Sequence, residues 1–78
     1  MKKRAKLIMK ESFWSYVPTE LITQAIVDGG IEFKRHEMES KFFTTIHTFV
    51  VYGDISRIVK VWNVLKATGL NVKLEEEE

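Results

Sequence analysis

An α+β fold is predicted for this chain: a four-stranded antiparallel sheet with two helices on one face, in the order β-α-β-β-α-β. Three observations predict it. Two stretches, Leu21 to Ile26 and Ile55 to Leu65, carry apolar residues at helical spacing. Four others alternate between apolar and polar residues or are rich in β-branched and aromatic ones. The glycines at 29, 30, 53 and 69 and the one proline, Pro18, fall between these stretches, where the chain has to turn.

In order along the chain, residues 4–12 form the first strand, with Ala5, Leu7 and Met9 alternating with Lys6, Ile8 and Lys10. The aromatic run Phe13-Trp14-Ser15-Tyr16-Val17 either extends this strand or forms a loop. Pro18 suits a helix start, and Glu20 favours the positive end of the helix dipole. Leu21, Ile22, Ala25 and Ile26 make the apolar stripe, and Gly29-Gly30 ends the helix. Ile31, Phe33 and Arg35 alternate with Glu32, Lys34 and His36 in a second strand, followed by a polar connection over residues 37–41. Residues 42–52, FFTTIHTFVVY, form a third strand apolar enough to be covered on both faces, as a central strand requires.

Gly53-Asp54 breaks that strand, and Asp54 is a good N-cap. Ile55, Ile58, Val59, Trp62 and Leu65 share one helix face, widened by Val61 and Val64 and stopped by Gly69. Leu70, Val72 and Leu74 alternate in the last strand. Two β-α-β halves joined by a hairpin make the ferredoxin-like arrangement, with strands one and three central. Its expected core is Leu7, Met9, Ile31, Phe33, Leu70, Val72 and Leu74 with the two helix stripes.

Composition narrows the class of protein. With 78 residues the chain has room for a single domain, 1–78. A content of 45% hydrophobic and 29% charged residues is globular and excludes a disordered chain. The absence of cysteine excludes disulfides and thiolate metal sites and fits a cytoplasmic protein. No apolar run approaches the ~20 residues of a membrane span, so no membrane partner is expected. The net charge is only +1, but a basic start, Lys2-Lys3-Arg4, stands against an acidic stretch, residues 75–78, expected to be frayed.

Three constellations can carry chemistry. The helix-free sheet face turns out Lys6, Ile8 and Lys10 from strand one, Lys34, His36 and Met38 from strand two, and Lys73 from strand four. Strand three adds either the Phe43, Thr45, His47, Phe49, Val51 set or the Phe42, Thr44, Ile46, Thr48, Val50, Tyr52 set, because a one-residue slip exchanges them. Such a face either pairs with a second copy of the chain or offers single-stranded nucleic acid a stacking platform of Lys6, Lys10, Lys34, His36, Phe49 and Lys73. The RNA-recognition motif shares the topology, but only Phe49-Val50-Val51-Tyr52 matches the end of its signature.

The second constellation is the loop Ser12–Pro18. Phe13, Trp14, Ser15 and Tyr16, with Gly30 and Ile31 at the start of strand two, are candidates for holding a small molecule such as an amino acid. The third is His36, Glu37, Glu39 and His47, whose spacing matches no metal-ligand pattern, so no metal is expected. No nucleophile elbow or glycine-rich phosphate loop is present. The chain is therefore expected to be non-enzymatic and free of cofactors. The remaining alternative is a small inhibitor or adaptor docking on a larger protein by strand addition.

The pattern resembles the small regulatory ACT and NIL domains. The features in common are Gly30-Ile31 at the end of the first helix, Gly53-Asp54 closing the third strand, and Leu65 and Gly69 before the Val72 strand. The resemblance spans nearly the whole chain and implies a ligand-sensing or interaction module that homodimerises. ACT domains usually carry an acidic residue and a glycine in the loop after strand one. Here Phe13-Trp14-Ser15-Tyr16 stands in that place, which fits the NIL variant better.

Overall fold

The computed structural model describes residues 1–77. Its elements are β1 (Lys2–Glu11), α1 (Thr19–Asp28), β2 (Glu32–Lys41), β3 (Thr44–Asp54), α2 (Ile55–Ala67) and β4 (Val72–Glu76). The strands make one sheet in the order β2-β3-β1-β4, and every neighbouring pair is antiparallel. This is the ferredoxin-like arrangement, with β1 and β3 central as expected.

Side-chain alternation decides which face is covered. The register pairs Ala5 with Val51, Leu7 with Phe49 and Met9 with His47, so these residues share one face. On β4, Val72 lies opposite Met9 and Leu74 opposite Leu7. Ile22 and Ile26 of α1, and Ile58, Val61 and Leu65 of α2, pack onto that face in one buried cluster. Each fully buried Leu, Ile or Phe contributes about 1.5–3 kcal/mol by leaving water. The register thus settles the slip left open by the sequence of strand three: Thr45, His47, Phe49 and Val51 turn towards the helices.

The ends of the helices follow from local chemistry. Pro18 precedes α1, and its carbonyl accepts the first helical hydrogen bond, from Ile22 N–H at 3.0 Å. Gly30 then takes φ +76°, the left-handed conformation that reverses the chain into β2. Asp54 caps α2 by accepting from Ser56 N–H at 3.0 Å, and Ser56 Oγ–H donates to the same carboxylate. Those bonds, led by the Ser56 hydroxyl and helped by the amino group of Met1, pull its pKa down from 3.8 to about 2. Trp62 lays α2 against β4 by donating its indole N–H to the Val72 carbonyl at 2.8 Å.

Strand limits shift by about two residues from expectation: β1 starts at Lys2, β3 starts at Thr44 and runs on through Gly53 and Asp54, which pair with Lys3 and Lys2 and do not break it, and β4 starts at Val72. Three differences go further. Residues 37–41 are the outer half of β2, and the reversal is the pair Phe42-Phe43 between the partners Lys41 and Thr44. Their polar character reflects a hairpin that runs past the helices and has no core to face. Secondly, β2 carries a β-bulge: Phe33 pairs with Val51, Arg35 pairs with Val50, and Lys34 is the extra residue. The bulge reverses the alternation beyond it, so His36 and Met38 lie on the helix side, opposite Phe49 and His47. Thirdly, Glu75 and Glu76 belong to β4, where pairing with Lys6 and Ala5 holds them in place of the expected fraying. Glu78 lies outside the described residues.

At Gly29, the C-cap of α1, a Cβ would overlap the Val61 side chain of α2. A Gly29→Ala substitution is expected to lower stability by about 1–3 kcal/mol, the usual cost of overpacking. Denaturant unfolding checks it, and adding Val61→Ala in the same chain should recover part of the loss.

Candidate functional site

The antiparallel order places the Ser12–Pro18 loop and the Phe42-Phe43 turn at the same end of the sheet. Glu11 pairs with Thr45, so only a few residues of each chain remain before the two tips. The first tip is a tight turn in which Ser12 and Ser15 exchange backbone hydrogen bonds of 2.9 and 3.2 Å. Phe13, Trp14 and Tyr16 project into solvent, Trp14 with 96% of its surface free. At the second tip Phe42 is 93% and Phe43 80% exposed, and Met38 is also uncovered. This end of the molecule is therefore an apolar, mostly aromatic surface.

Phe43 holds φ at 57°, the left-handed region, in a two-residue connection. Glycine or asparagine is the usual occupant there, because a Cβ clashes with its own backbone. Two exposed phenylalanines in such a turn add nothing to the fold.

Behind the aromatic end lies a chain of polar groups. Glu11, at the end of β1, accepts Val17 N–H on Oε2 at 3.1 Å. Its Oε1 lies 3.1 Å from His47 Nε2, and His47 Nδ1 lies 2.9 Å from His36 Nε2. A carboxylate only accepts, so His47 donates from Nε2 to Glu11; with both imidazoles neutral, its Nδ1 then accepts from His36 Nε2–H. His36 is then left with a lone pair on Nδ1. His47 is only 3% exposed, yet both its nitrogens are satisfied. The His36 ring stacks on Phe49 with centroids 4.3 Å apart and planes within 6°.

The Val17 amide and then His47 draw the Glu11 pKa below its ordinary value. Burial, and secondarily the neighbouring His47, lowers that of His36. Chemically the chain can offer or accept one hydrogen bond at its outer end and responds to protons there. The facing nitrogens stand closer than the roughly 3.3 Å that two imidazoles need around one tetrahedral ion. Among the described residues no group of three or more His, Asp or Glu side chains is placed to hold a metal. Glu37 and Glu39 turn to the other face, where they pair with Arg35 at 2.9 Å and Lys41 at 3.5 Å.

The other residues expected at a site fare differently. Gly30 and Ile31 precede β2 at the end of the sheet where β3 finishes, as the pairing of Glu32 with Tyr52 shows. The Ser12–Pro18 loop is at the opposite end, so the two halves of the expected small-molecule pocket do not meet within one chain. Of the expected nucleic-acid platform, Lys6, Lys10, Lys34 and Lys73 do face away from the helices. Phe49 does not: it is fully buried on the helix side, and the bulge brings His36 in with it. Tyr52 is then the aromatic side chain on the helix-free face of β3, with Lys34 Nζ 5.7 Å from its ring centre. A separate groove of about 800 Å³ runs between the helices, lined by Leu21, Ala25, Arg57, Lys60, Val61 and Val64. Among the described residues no helix is long and apolar enough to cross a membrane.

The sequence groups His36 with His47 but does not show their hydrogen bond or the part of Glu11, because the three lie on different strands. The signal available was the tally of residues from the hairpin turn, which pairs position 38 with 47 and 36 with 49 once the turn is placed at Phe42-Phe43.

Comparison with known proteins supports the architecture. No family model and no curated protein matches the chain. Among solved structures it is similar to a protein proposed to be a glycine cleavage system transcriptional repressor, with TM-score 0.75 and 11% identity over 100% of this chain. It is also similar to a protein from Bacteroides thetaiotaomicron, with TM-score 0.58 and 14% identity over 95% of this chain. The chain spans about half the length of each, 47% and 46%. At such identities the likeness shows a shared fold.

The polar chain predicts a pH dependence with a definite sign. An unfolded histidine takes up its proton near pH 6.5, whereas folded His36 resists it to a lower pH. Its contribution to stability is therefore complete above about pH 6.5 and is lost as the pH falls through the lowered value. Thermal unfolding at about pH 7.5 and about pH 5.5 should show a lower midpoint in acid. His36→Phe, which keeps the stack on Phe49 and cannot titrate, should show a smaller drop.

Proposed function

We propose that this chain is a small, non-enzymatic, cytoplasmic regulatory module of ACT- or NIL-like kind, which self-associates through its aromatic end. The observation that carries the reading is the Phe42-Phe43 turn. A position that favours glycine or asparagine holds an exposed aromatic instead, next to an equally exposed Phe42 and beside the Phe13, Trp14 and Tyr16 loop. Strained, exposed apolar groups that the fold does not use are the mark of a surface made for contact. The shared fold with a proposed transcriptional repressor supports a regulatory role in preference to catalysis.

In this reading a small molecule such as an amino acid binds where copies meet. A second chain brings its own aromatic loop and turn, so that Phe13, Trp14, Ser15 and Tyr16 of both copies line the pocket, without Gly30 and Ile31, which lie at the far end of each sheet. His36, its lone pair held outward by Glu11 and His47, sits behind that end and is suited to receive a ligand N–H.

The test is solution mass by light scattering from about 1 to about 100 μM, the range in which dimers of modest affinity dissociate. The wild-type chain should rise towards twice its monomer mass. The double variant Phe42→Asn, Phe43→Gly should stay monomeric and unfold at a higher temperature, because the new turn removes about 1 kcal/mol or more of backbone strain. A wild-type chain that is monomeric throughout, or a double variant that still dimerises, would refute the reading.

A further inference from the structure

The helix-free face of the sheet holds an ion cluster that neither the fold nor the aromatic end requires. Val50 is fully buried although it points away from the helices and lies outside their core cluster. It is flanked across the strands by Lys6 on one side and Arg35 on the other. Arg4 stands in the next row, beside Tyr52. Glu77, just beyond β4, donates its backbone N–H to the Arg4 carbonyl at 3.0 Å.

The Glu77 carboxylate then reaches over β1 and β3. It lies 3.5 Å from Arg4 Nη1, 3.7 Å from Lys6 Nζ and 3.5 Å from Arg35 Nη2, and its side chain is only 15% exposed. The bulge makes this possible. Without it Arg35 would face the helices; with it Lys34 and Arg35, neighbours in sequence, both stand on the open face.

From this geometry we infer that Val50, Tyr52, Arg4, Lys6 and Arg35 form a binding site for a small organic anion, with Glu77 as its tethered occupant. The site has an apolar floor, one aromatic wall and cations on opposite sides, which suits a carboxylate or phosphoryl group on a planar or apolar body. Arginine supplies a planar fork for either group. The cations are 37–48% exposed, so each ion pair with Glu77 is weakly held and readily exchanged. The acidic segment therefore acts as a competitor at millimolar effective concentration, and an external anion binds when it displaces Glu77. The site is on the opposite face from His36 and independent of the aromatic end.

The experiment is calorimetric titration of the wild-type chain and Glu77→Gln at low salt, with pyrophosphate as the phosphoryl probe and citrate as the carboxylate probe. Glu77→Gln should bind at least one probe about tenfold more tightly than wild type, the factor expected if Glu77 holds the site about nine-tenths of the time. The stronger probe identifies the group the site prefers. Adding Arg35→Gln to Glu77→Gln should abolish the gain, with thermal unfolding confirming that the variant is folded. Equal affinity in wild type and Glu77→Gln, no binding of either probe by Glu77→Gln, or a gain that survives Arg35→Gln would each overturn the inference.

Discussion

The extra residue at Lys34 governs more of this molecule than any single buried contact. A strand shows its side chains alternately to two faces, so one inserted residue exchanges the faces for everything beyond it. Before the bulge, Phe33 packs against the helix-side core. After it, His36 and Met38 take that side, and Arg35, Glu37 and Glu39 take the other. Had β2 kept strict alternation, His36 would lie on the open face, far from Phe49. His47 would then sit buried with one nitrogen unpaired, at a cost of about 1–3 kcal/mol. The bulge is thus what makes a buried histidine at position 47 tolerable.

The same displacement separates the two surfaces on which function is placed. On the helix side, the outer part of the hairpin carries His36 and Met38 opposite Phe49 and His47, and it ends in aromatic side chains. On the open side, two adjacent cations on β2 face Arg4 and Lys6 across β3. Neither surface borrows residues from the other. Events at the aromatic end and at the ion cluster can therefore be altered by separate substitutions, although both depend on one irregularity in one strand.

Most of the architecture was legible because most of it is driven by burial. Wherever a segment faces the core, its period appears in the sequence: two for Ala5, Leu7 and Met9, and three to four for Ile55, Ile58, Trp62 and Leu65. Gly29-Gly30 and Gly69 marked the helix ends, and Asp54 the start of α2, for the same kind of local reason, whereas β3 runs on through Gly53. Legibility stopped where burial stopped. Residues 37–41 face no helix, so their pattern carries no core signal, and they resemble a loop although they pair fully with β3. The bulge was illegible because Phe33 and His36 are both compatible with either face until a partner strand fixes the count. Every error about the sites, including the outward His36, the stacking role of Phe49 and the loose acidic stretch, came from that count or from contacts distant in sequence.

The outer edge of β2 has a further consequence, for the behaviour of the protein in a crowded solution. Alternate residues of the ten-residue β2 present unpaired backbone groups along the border of the sheet, a template on which another chain could add a strand. That border is guarded by ion pairs within the strand itself, Glu32 with Lys34, Arg35 with Glu37 and Glu39 with Lys41. An incoming strand would meet alternating charges in one fixed spacing and a kink at Lys34 that breaks the straight ladder. On the far border β4 is five residues long, which leaves little to extend. Fibril-like growth by edge addition is thus opposed on both borders.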